Sequence, residues 1–179
     1  LDHVKKILHE KKVSVMNVNF LQNSFGRNYD IITSLHVIEH IPFEGLELYL
    51  NNIYNALNDN GYFLLSTPDY DSSLGRIFDY HMMYPPHHQT ILSNRWITKY
   101  LLQKKLFKKI NQTSACVILE NYDDWFSYYK ETAPTQESKE VVKIFDTIYE
   151  NKKMFNELEN LLSEKNKGSE TIILFKKIP

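Results

Sequence analysis

Residues 29–41 read YDIITSLHVIEHI, and this stretch decides the fold. Its first part, residues 30–35, is mostly apolar and rich in β-branched side chains, which predicts a buried strand. Pro42 follows the stretch, and proline prevents a helix from continuing through its position. Residues 36–41 are therefore predicted to form a turn at the carboxyl end of that strand. In an open α/β sheet, ligands bind at this edge.

The segments around this stretch alternate between helix and strand. Residues 3–11 predict a helix, residues 13–20 a strand, residues 44–57 a helix with one apolar face, and residues 62–67 an apolar strand. Gly61 is predicted to end the second helix in the left-handed conformation. Alternation with strands that are apolar throughout predicts an α/β fold with a mostly parallel sheet and helices on both faces.

The second half of the chain adds two further strands and several helices. Ser93 is a predicted N-cap for a helix that ends at Gln103, and residues 108–119 predict a strand. Residues 123–165 are predicted to be helical, in pieces broken near Pro134 and Asn151, and a last strand follows Gly168. We assign residues 1–120 and 166–179 to the α/β core and residues 121–165 to a helical insertion, or cap, before the last strand.

The composition is that of an ordinary soluble domain. The chain has 179 residues, of which 42% are hydrophobic and 24% charged, and its net charge is −1. This balance gives no reason to expect a nucleic-acid or membrane partner. No run of about 18 apolar residues exists, so we expect no spanning helix and a cytoplasmic location. The single cysteine, Cys116, cannot form a disulfide within the chain.

Several segments, in a fixed order, carry a resemblance to a known family. They are YDII at 29–32, HVIEHI at 36–41, the strand that ends at Pro68, and PPHH at 85–88 before the helix from Ser93. Together they resemble the class I S-adenosylmethionine (SAM)-dependent methyltransferases, in particular a bacterial branch with a V-I-E-H-I turn and a P-P-H-H segment. The resemblance covers about residues 10–110 and the last strand. It implies a Rossmann-like fold and methyl transfer from SAM to an oxygen or nitrogen of a small-molecule acceptor.

The resemblance also implies which residues contact the cofactor. Asn19 and Phe20 match the positions that lie against the adenine ring, and Leu35 and His36 match positions that cover its other side. Many family members carry Asp at the position of Asn19, but Asn can also accept a hydrogen bond from an exocyclic amine. Asp2 is the candidate for the acidic residue that binds the ribose hydroxyls.

One part of the family pattern does not occur in this chain. The family's first strand and its G-x-G loop match no residues here, and the five glycines are far apart in the sequence. Glycine is required in that loop because a Cβ atom would collide with the cofactor. The resemblance therefore implies a fold that is incomplete at its N-terminus. We expect residues 1–179 alone to bind SAM weakly and to be inactive.

The turn itself resembles that of small-RNA 2′-O-methyltransferases and of some quinone O-methyltransferases, in which it helps to hold a divalent metal. The matching metal ligands are Glu39, His40 and His88, and His36 stands where that family has Glu. A histidine there would make a softer site and disfavour magnesium. His40 and His88 are also the catalytic candidates, with His88 as general base, because imidazole titrates near neutral pH. Alternatively, Glu39 and His40 only cap and orient the turn.

Other functions are compatible with the same residues. HVIEH matches the H-x-x-E-H zinc-peptidase motif, although that mechanism needs a continuous helix, which Pro42 opposes. A non-catalytic binding or scaffold module with a decayed methyltransferase fold is the main alternative. The loop with His81, Tyr84 and His87 could form a wall of the acceptor site. The aromatic start of the insertion, at residues 125–129, could be core, a substrate lid or the contact of a homodimer.

Overall fold

A computed structural model of the chain describes residues 19, 21, 26–73, 88–115 and 135–179. Two single turns of 3-10 helix, Ile38–His40 and Phe43–Gly45, connect the first strand to the first helix. The longer elements, in chain order, are β1 (Tyr29–Leu35), α1 (Leu46–Ala56), β2 (Leu57–Pro68), α2 (Asn94–Gln103), β3 (Phe107–Ala115), α3 (Gln136–Glu150), α4 (Lys152–Glu164) and β4 (Glu170–Lys177).

The four described strands form one mixed sheet in the order β1-β2-β4-β3. β1 pairs with β2 in parallel, and β4 is antiparallel to both β2 and β3. The prediction of a mostly parallel sheet therefore holds for the common direction of β1, β2 and β3 but is wrong for the pairs that β4 makes. The reason lies in the connection, because Glu170 at the start of β4 pairs with Ala115 at the end of β3. The chain re-enters the sheet next to the end of β3, so β4 must run antiparallel to β3.

The prediction of a buried strand at residues 30–35 is wrong for most of β1. Ile31 is 56% exposed and Leu35 is 54% exposed, whereas Ser34 is buried. β1 lies at one edge of the described sheet, in which it pairs with β2. Apolar composition therefore predicted the strand but not how much of it is covered.

The connection between α1 and β2 also differs from the prediction. Tyr29 pairs with Leu57 and Ile31 pairs with Tyr62, so residues 58–61 bulge out of the ladder. Within this bulge Asn60, not Gly61, adopts the left-handed conformation, with φ of 65°. Gly61 is instead crowded, because a Cβ on it would lie 2.9 Å from the carbonyl oxygen of Asn58. Glycine is needed here for close backbone approach rather than for a helix cap.

The hydrophobic core lies on one face of the sheet. The rings of Phe63, Phe107 and Phe175, from β2, β3 and β4, pack with centroids 5.7–6.2 Å apart. Buried side chains of α1 and α2 complete the same cluster. Ser93 caps α2 as predicted, since its Oγ accepts a hydrogen bond from the backbone N–H of Trp96 at 3.1 Å.

The described part of the insertion is helical and precedes the last strand, as predicted. α3 and α4 meet at Asn151, whose Oδ1 accepts a hydrogen bond from the backbone N–H of Met154 at 3.2 Å. After α4, the backbone N–H of Gly168 donates to Oγ of Ser114 on β3 at 3.1 Å. Residues 121–134, which include the predicted break at Pro134, lie outside the described residues. None of the described helices is both long and apolar enough to cross a membrane.

Candidate active site

The site is built on the turn that follows β1. His36 leaves the strand with a positive φ of 52°, and its backbone N–H donates to the carbonyl oxygen of Ser66 on β2 at 3.0 Å. Ile38–His40 then forms a single 3-10 turn in which Ile38 and Glu39 are buried. The turn predicted for residues 36–41 is thus confirmed. The zinc-peptidase alternative is wrong, because His36 and His40 do not lie on one continuous helix.

Glu39 is the central carboxylate of this turn and is only 1% exposed. Its Oε2 accepts a hydrogen bond from Oγ1 of Thr67, at the end of β2, at 3.1 Å. Its Oε1 lies 3.3 Å from Nδ1 of His36 and has no hydrogen-bond partner within the described part of the chain. A buried carboxylate oxygen without a hydrogen bond is unfavourable, so this atom indicates a site for a cation or an acceptor hydroxyl.

Residues 88–90 are held against the same turn by backbone hydrogen bonds. The backbone N–H groups of Gln89 and Thr90 donate to the carbonyl oxygen of Glu39 at 2.8 and 3.0 Å. Oγ1 of Thr90 donates to the carbonyl oxygen of Ile41 at 2.6 Å. These contacts bring the rings of His40 and His88 edge to face, with centroids 4.9 Å apart. The turn and His88, which are far apart in the sequence, therefore meet in the structure.

Glu39, His40 and His88 have the geometry of a possible metal centre. Each offers one ligand atom, and the three atoms lie within 4.8 Å of one another. One carboxylate and two imidazoles suit zinc, manganese or iron better than magnesium, which prefers oxygen ligands. Oε1 of Glu39, which makes no hydrogen bond within the described residues, adds a second reason why these residues fit a cation.

Glu170 is a member of the site that the sequence analysis missed. Its Oε2 lies 3.0 Å from Nε2 of His36, so that imidazole is placed between two carboxylates. Burial raises the pKa of the Glu170 carboxyl above its usual range, His36 opposes this rise, and Glu39 adds to it. The one available signal was a charged residue at the start of an otherwise apolar strand. Its distance from the motif in the sequence concealed its role.

The end of β2 contributes a second buried acid that the sequence analysis missed. Oδ1 of Asp69 accepts hydrogen bonds from the backbone N–H groups of Asp71 and Asn94, each at 3.0 Å. Its Oδ2 accepts from the side-chain amide of Asn94 at 2.5 Å. Because its acceptors are used within the chain, Asp69 fixes α2 to the end of β2 rather than serving as a ligand.

The predicted cofactor residues are only partly described. Leu35 and His36 lie at the carboxyl end of β1, with Leu35 exposed. Asn19 is exposed, and its Oδ1 accepts a hydrogen bond from the backbone N–H of Leu21 at 3.0 Å. Asp2 and Phe20 lie outside the described residues, as do His81, Tyr84 and His87.

Comparison with protein families identifies the domain. A family model described as a methyltransferase domain matches residues 4–123. The chain belongs to the methyltransferase domain family. The match contains β1, the 3-10 turn, β2, α2 and β3, and therefore all of the site except Glu170.

Solved structures agree with the fold of this methyltransferase domain. A SAM-dependent methyltransferase from Archaeoglobus fulgidus is 19% identical, with a TM-score of 0.55 over 98% of this chain and 72% of its own. A SAM-dependent methyltransferase from Thermotoga maritima is 14% identical, with a TM-score of 0.56 over 98% and 70%. Coclaurine N-methyltransferase, bound to N-methylheliamine and S-adenosylhomocysteine, is 15% identical, with a TM-score of 0.53 over 98% and 57%. The chain thus spans about half to three quarters of these structures. No curated protein matches the sequence significantly.

Proposed function

We propose that the natural protein containing this chain transfers the methyl group of SAM to an oxygen or nitrogen of a small-molecule acceptor. One observation carries the proposal: the ionisable side chains of the site gather at the carboxyl ends of β1 and β2 in a methyltransferase domain. Ligands of open α/β sheets bind at that edge. Coclaurine N-methyltransferase, which shares the fold, binds N-methylheliamine and S-adenosylhomocysteine, and these ligands are consistent with this chemistry.

In this proposal the cofactor lies against the outer side of the turn. Leu35 and His36 cover one side of SAM, and Asn19, Phe20 and Asp2 are the proposed contacts to its adenosine part. The exposed side chain of Leu35 offers an apolar surface to a purine ring.

The proposed reaction is a displacement at the methyl carbon. A lone pair of the acceptor oxygen or nitrogen forms the new bond to carbon, the carbon–sulfur bond breaks, and its electrons remain on sulfur, which yields S-adenosylhomocysteine. Without a bound cation the acceptor proton is taken by an imidazole, and His88 and His40 are the candidates. The main contribution of the site to the rate is alignment of the acceptor with the methyl–sulfur bond.

A divalent cation is part of the proposal. Glu39, His40 and His88 would hold it, through one carboxylate oxygen of Glu39 and one nitrogen of each imidazole. When bound, such a cation supplies a Lewis acid that favours the deprotonated form of an acceptor hydroxyl. Thr67 orients Glu39 for this role, since it occupies the other carboxylate oxygen.

The test uses the natural protein that contains residues 1–179. SAM is titrated by calorimetry, and S-adenosylhomocysteine formation is then followed with panels of small amines, phenols and catechols. We expect micromolar affinity for SAM and turnover with at least one class of acceptor, which His88→Asn should reduce by about 10²-fold or more. A protein without affinity for SAM would instead be the non-catalytic binding module.

A further inference from the structure

A cavity lies outside the candidate active site. Its volume is about 860 Å³, and it is formed by one face of α2, by β3 and by the connection between α4 and β4. It shares no described lining residue with the cluster of Glu39, His40 and His88. Its volume falls within the range of about 300–1,000 Å³ that is typical of small-molecule sites.

The cavity is strongly basic, although the chain has a net charge of −1. Its charged lining consists of Arg95, Lys99, Lys109 and Lys167 against one acid, Asp71. Within the described ranges, no ion pair is formed by any of these four cations. Arg95 and Lys99 are four residues apart on α2, and like charges at that spacing destabilise a helix slightly. Stability of the fold therefore does not explain why these cations lie together.

Three separate elements position the cations. Ile97 and Leu101 bury the inner face of α2, which leaves Arg95 and Lys99 towards the cavity. Nζ of Lys109 donates to Oε1 of Gln112 at 3.0 Å, and both residues line the cavity from β3. The backbone of Lys167 is fixed by its N–H, which donates to the carbonyl oxygen of Leu162 at 2.7 Å.

The neutral lining is also polar. Thr98 lies on α2 between Arg95 and Lys99 in the sequence, and it also lines the cavity. Its Oγ1 is buried and makes no hydrogen bond in the described part of the chain. Gln112 adds an amide, and Leu102 adds an apolar patch at one end. An unused hydroxyl among cations can donate to an anionic oxygen.

We propose that this cavity binds a small molecule that carries a diphosphate group. A guanidinium group can contact phosphate oxygens in pairs, and lysine ammonium groups add point charges around them. The four cations together offset the negative charges of a diphosphate and of Asp71, and the remaining volume accommodates a group the size of a nucleoside. The four cations are grouped in one cavity on a chain of net charge −1, and this grouping favours such a molecule over a long nucleic acid, which needs an extended basic surface.

The test is a titration of the natural protein with ADP and with inorganic pyrophosphate by calorimetry. The double variant Lys99→Gln/Lys167→Gln is compared with Lys152→Gln/Lys153→Gln, which changes the net charge equally on α4. We expect ADP to bind wild type and the control alike, and the cavity variant about tenfold or more weakly. Equal binding by all three proteins, or no binding by wild type, would overturn the proposal.

Two further measurements complete the test. Acetylation of Lys99, Lys109 and Lys167 in wild type is followed by mass spectrometry, and ADP should slow it while leaving Lys152 unaffected. This result does not depend on how well the variants fold. A single-stranded oligonucleotide and vesicles of phosphatidylglycerol serve as competitors. If either binds through Lys99 and Lys167 more tightly than ADP does, the site serves a polymer or a lipid surface and the proposal is wrong.

Discussion

Nε2 of His36 lies 3.0 Å from Oε2 of Glu170, and this contact joins the turn after β1 to the start of β4. The two residues are brought together because β2 pairs with β1 on one side and with β4 on the other. His36 also faces Oε1 of Glu39 at 3.3 Å, so its imidazole links a proposed metal ligand to the last strand. Residues that hold or orient ligand side chains affect metal affinity as strongly as many ligands do.

We therefore predict that Glu170→Gln weakens binding of Mn²⁺ or Zn²⁺ by about tenfold. The amide keeps the size of the side chain but removes the negative charge that holds His36. Calorimetry on the natural protein measures the affinity, and Glu157→Gln, which removes a charge from the exposed face of α4, is the matched control. Unchanged affinity in Glu170→Gln would show that this contact only stabilises the fold.

The proposed ligands give a sharper prediction. His40→Ala and Glu39→Gln should each reduce the affinity for Zn²⁺ by about 10²-fold or more, because each removes one of three protein ligands. Gln89→Ala, an exposed neighbour of His88, should leave it unchanged. If wild type and His40→Ala bind the ion equally weakly, Glu39 and His40 only orient the turn.

Because of Tyr49, we expect the free energy of unfolding to depend on pH in the alkaline range. Its hydroxyl lies 2.7 Å from Oγ of Ser34, and burial raises its pKa above the ordinary value of 10.0, with Ser34 opposing the shift and Glu39 adding to it. The folded chain thus holds the phenol proton more tightly than the unfolded chain. The resulting stability is present below pH 10.0 and is lost as pH rises through the folded pKa.

Tyr49→Phe should consequently lose about 1 kcal/mol at neutral pH, from the hydrogen bond, yet decline less than wild type above pH 10.0. Urea denaturation at several pH values measures the free energy of unfolding, and Tyr70→Phe, at an exposed position, serves as the control. Parallel declines in wild type and Tyr49→Phe would contradict this assignment.

Gly168, which lies between α4 and β4, gives a prediction about the stability of the fold. A Cβ at this position would collide with the carbonyl oxygen of Ala115, and because that atom is backbone the collision could be relieved only by a shift of the chain. Gly168→Ala should destabilise the fold by about 1–3 kcal/mol, as measured by thermal denaturation. Lys165→Ala, on the exposed side of the same connection, should change the melting temperature little.

The insertion itself is predicted to cover the acceptor site or to form a homodimer contact. Ile144, Met154 and Leu161 are exposed on α3 and α4, and such positions are available for a partner surface. Deletion of residues 121–165 from the natural protein should therefore lower its mass in solution to that of a monomer or raise the KM for the acceptor. Light scattering and steady-state kinetics measure the two effects. If neither quantity changes, the insertion has neither role.

The sequence by itself determined the local elements and the turn. Apolar periodicity located β2 and the apolar face of α1, and Ser93 identified a helix start through its side-chain oxygen. Asn151 indicated a break between helices, and Pro42 excluded a helix through residues 36–41. These features depend on neighbours within a few residues, and local physical chemistry is therefore sufficient to predict them. The order of the motifs also indicated a methyltransferase, and the match over residues 4–123 establishes a methyltransferase domain. The branch with the V-I-E-H-I turn stays a prediction.

Only the tertiary structure decided which distant residues meet. The exposure of Ile31, the reversed direction of β4 and the contact between His36 and Glu170 all depend on which strands are neighbours in the sheet. The basic cavity likewise needs α2, β3 and the approach to β4 at the same time. No local pattern encodes such pairings, because strand order is set by the packing of the whole core rather than by any single segment.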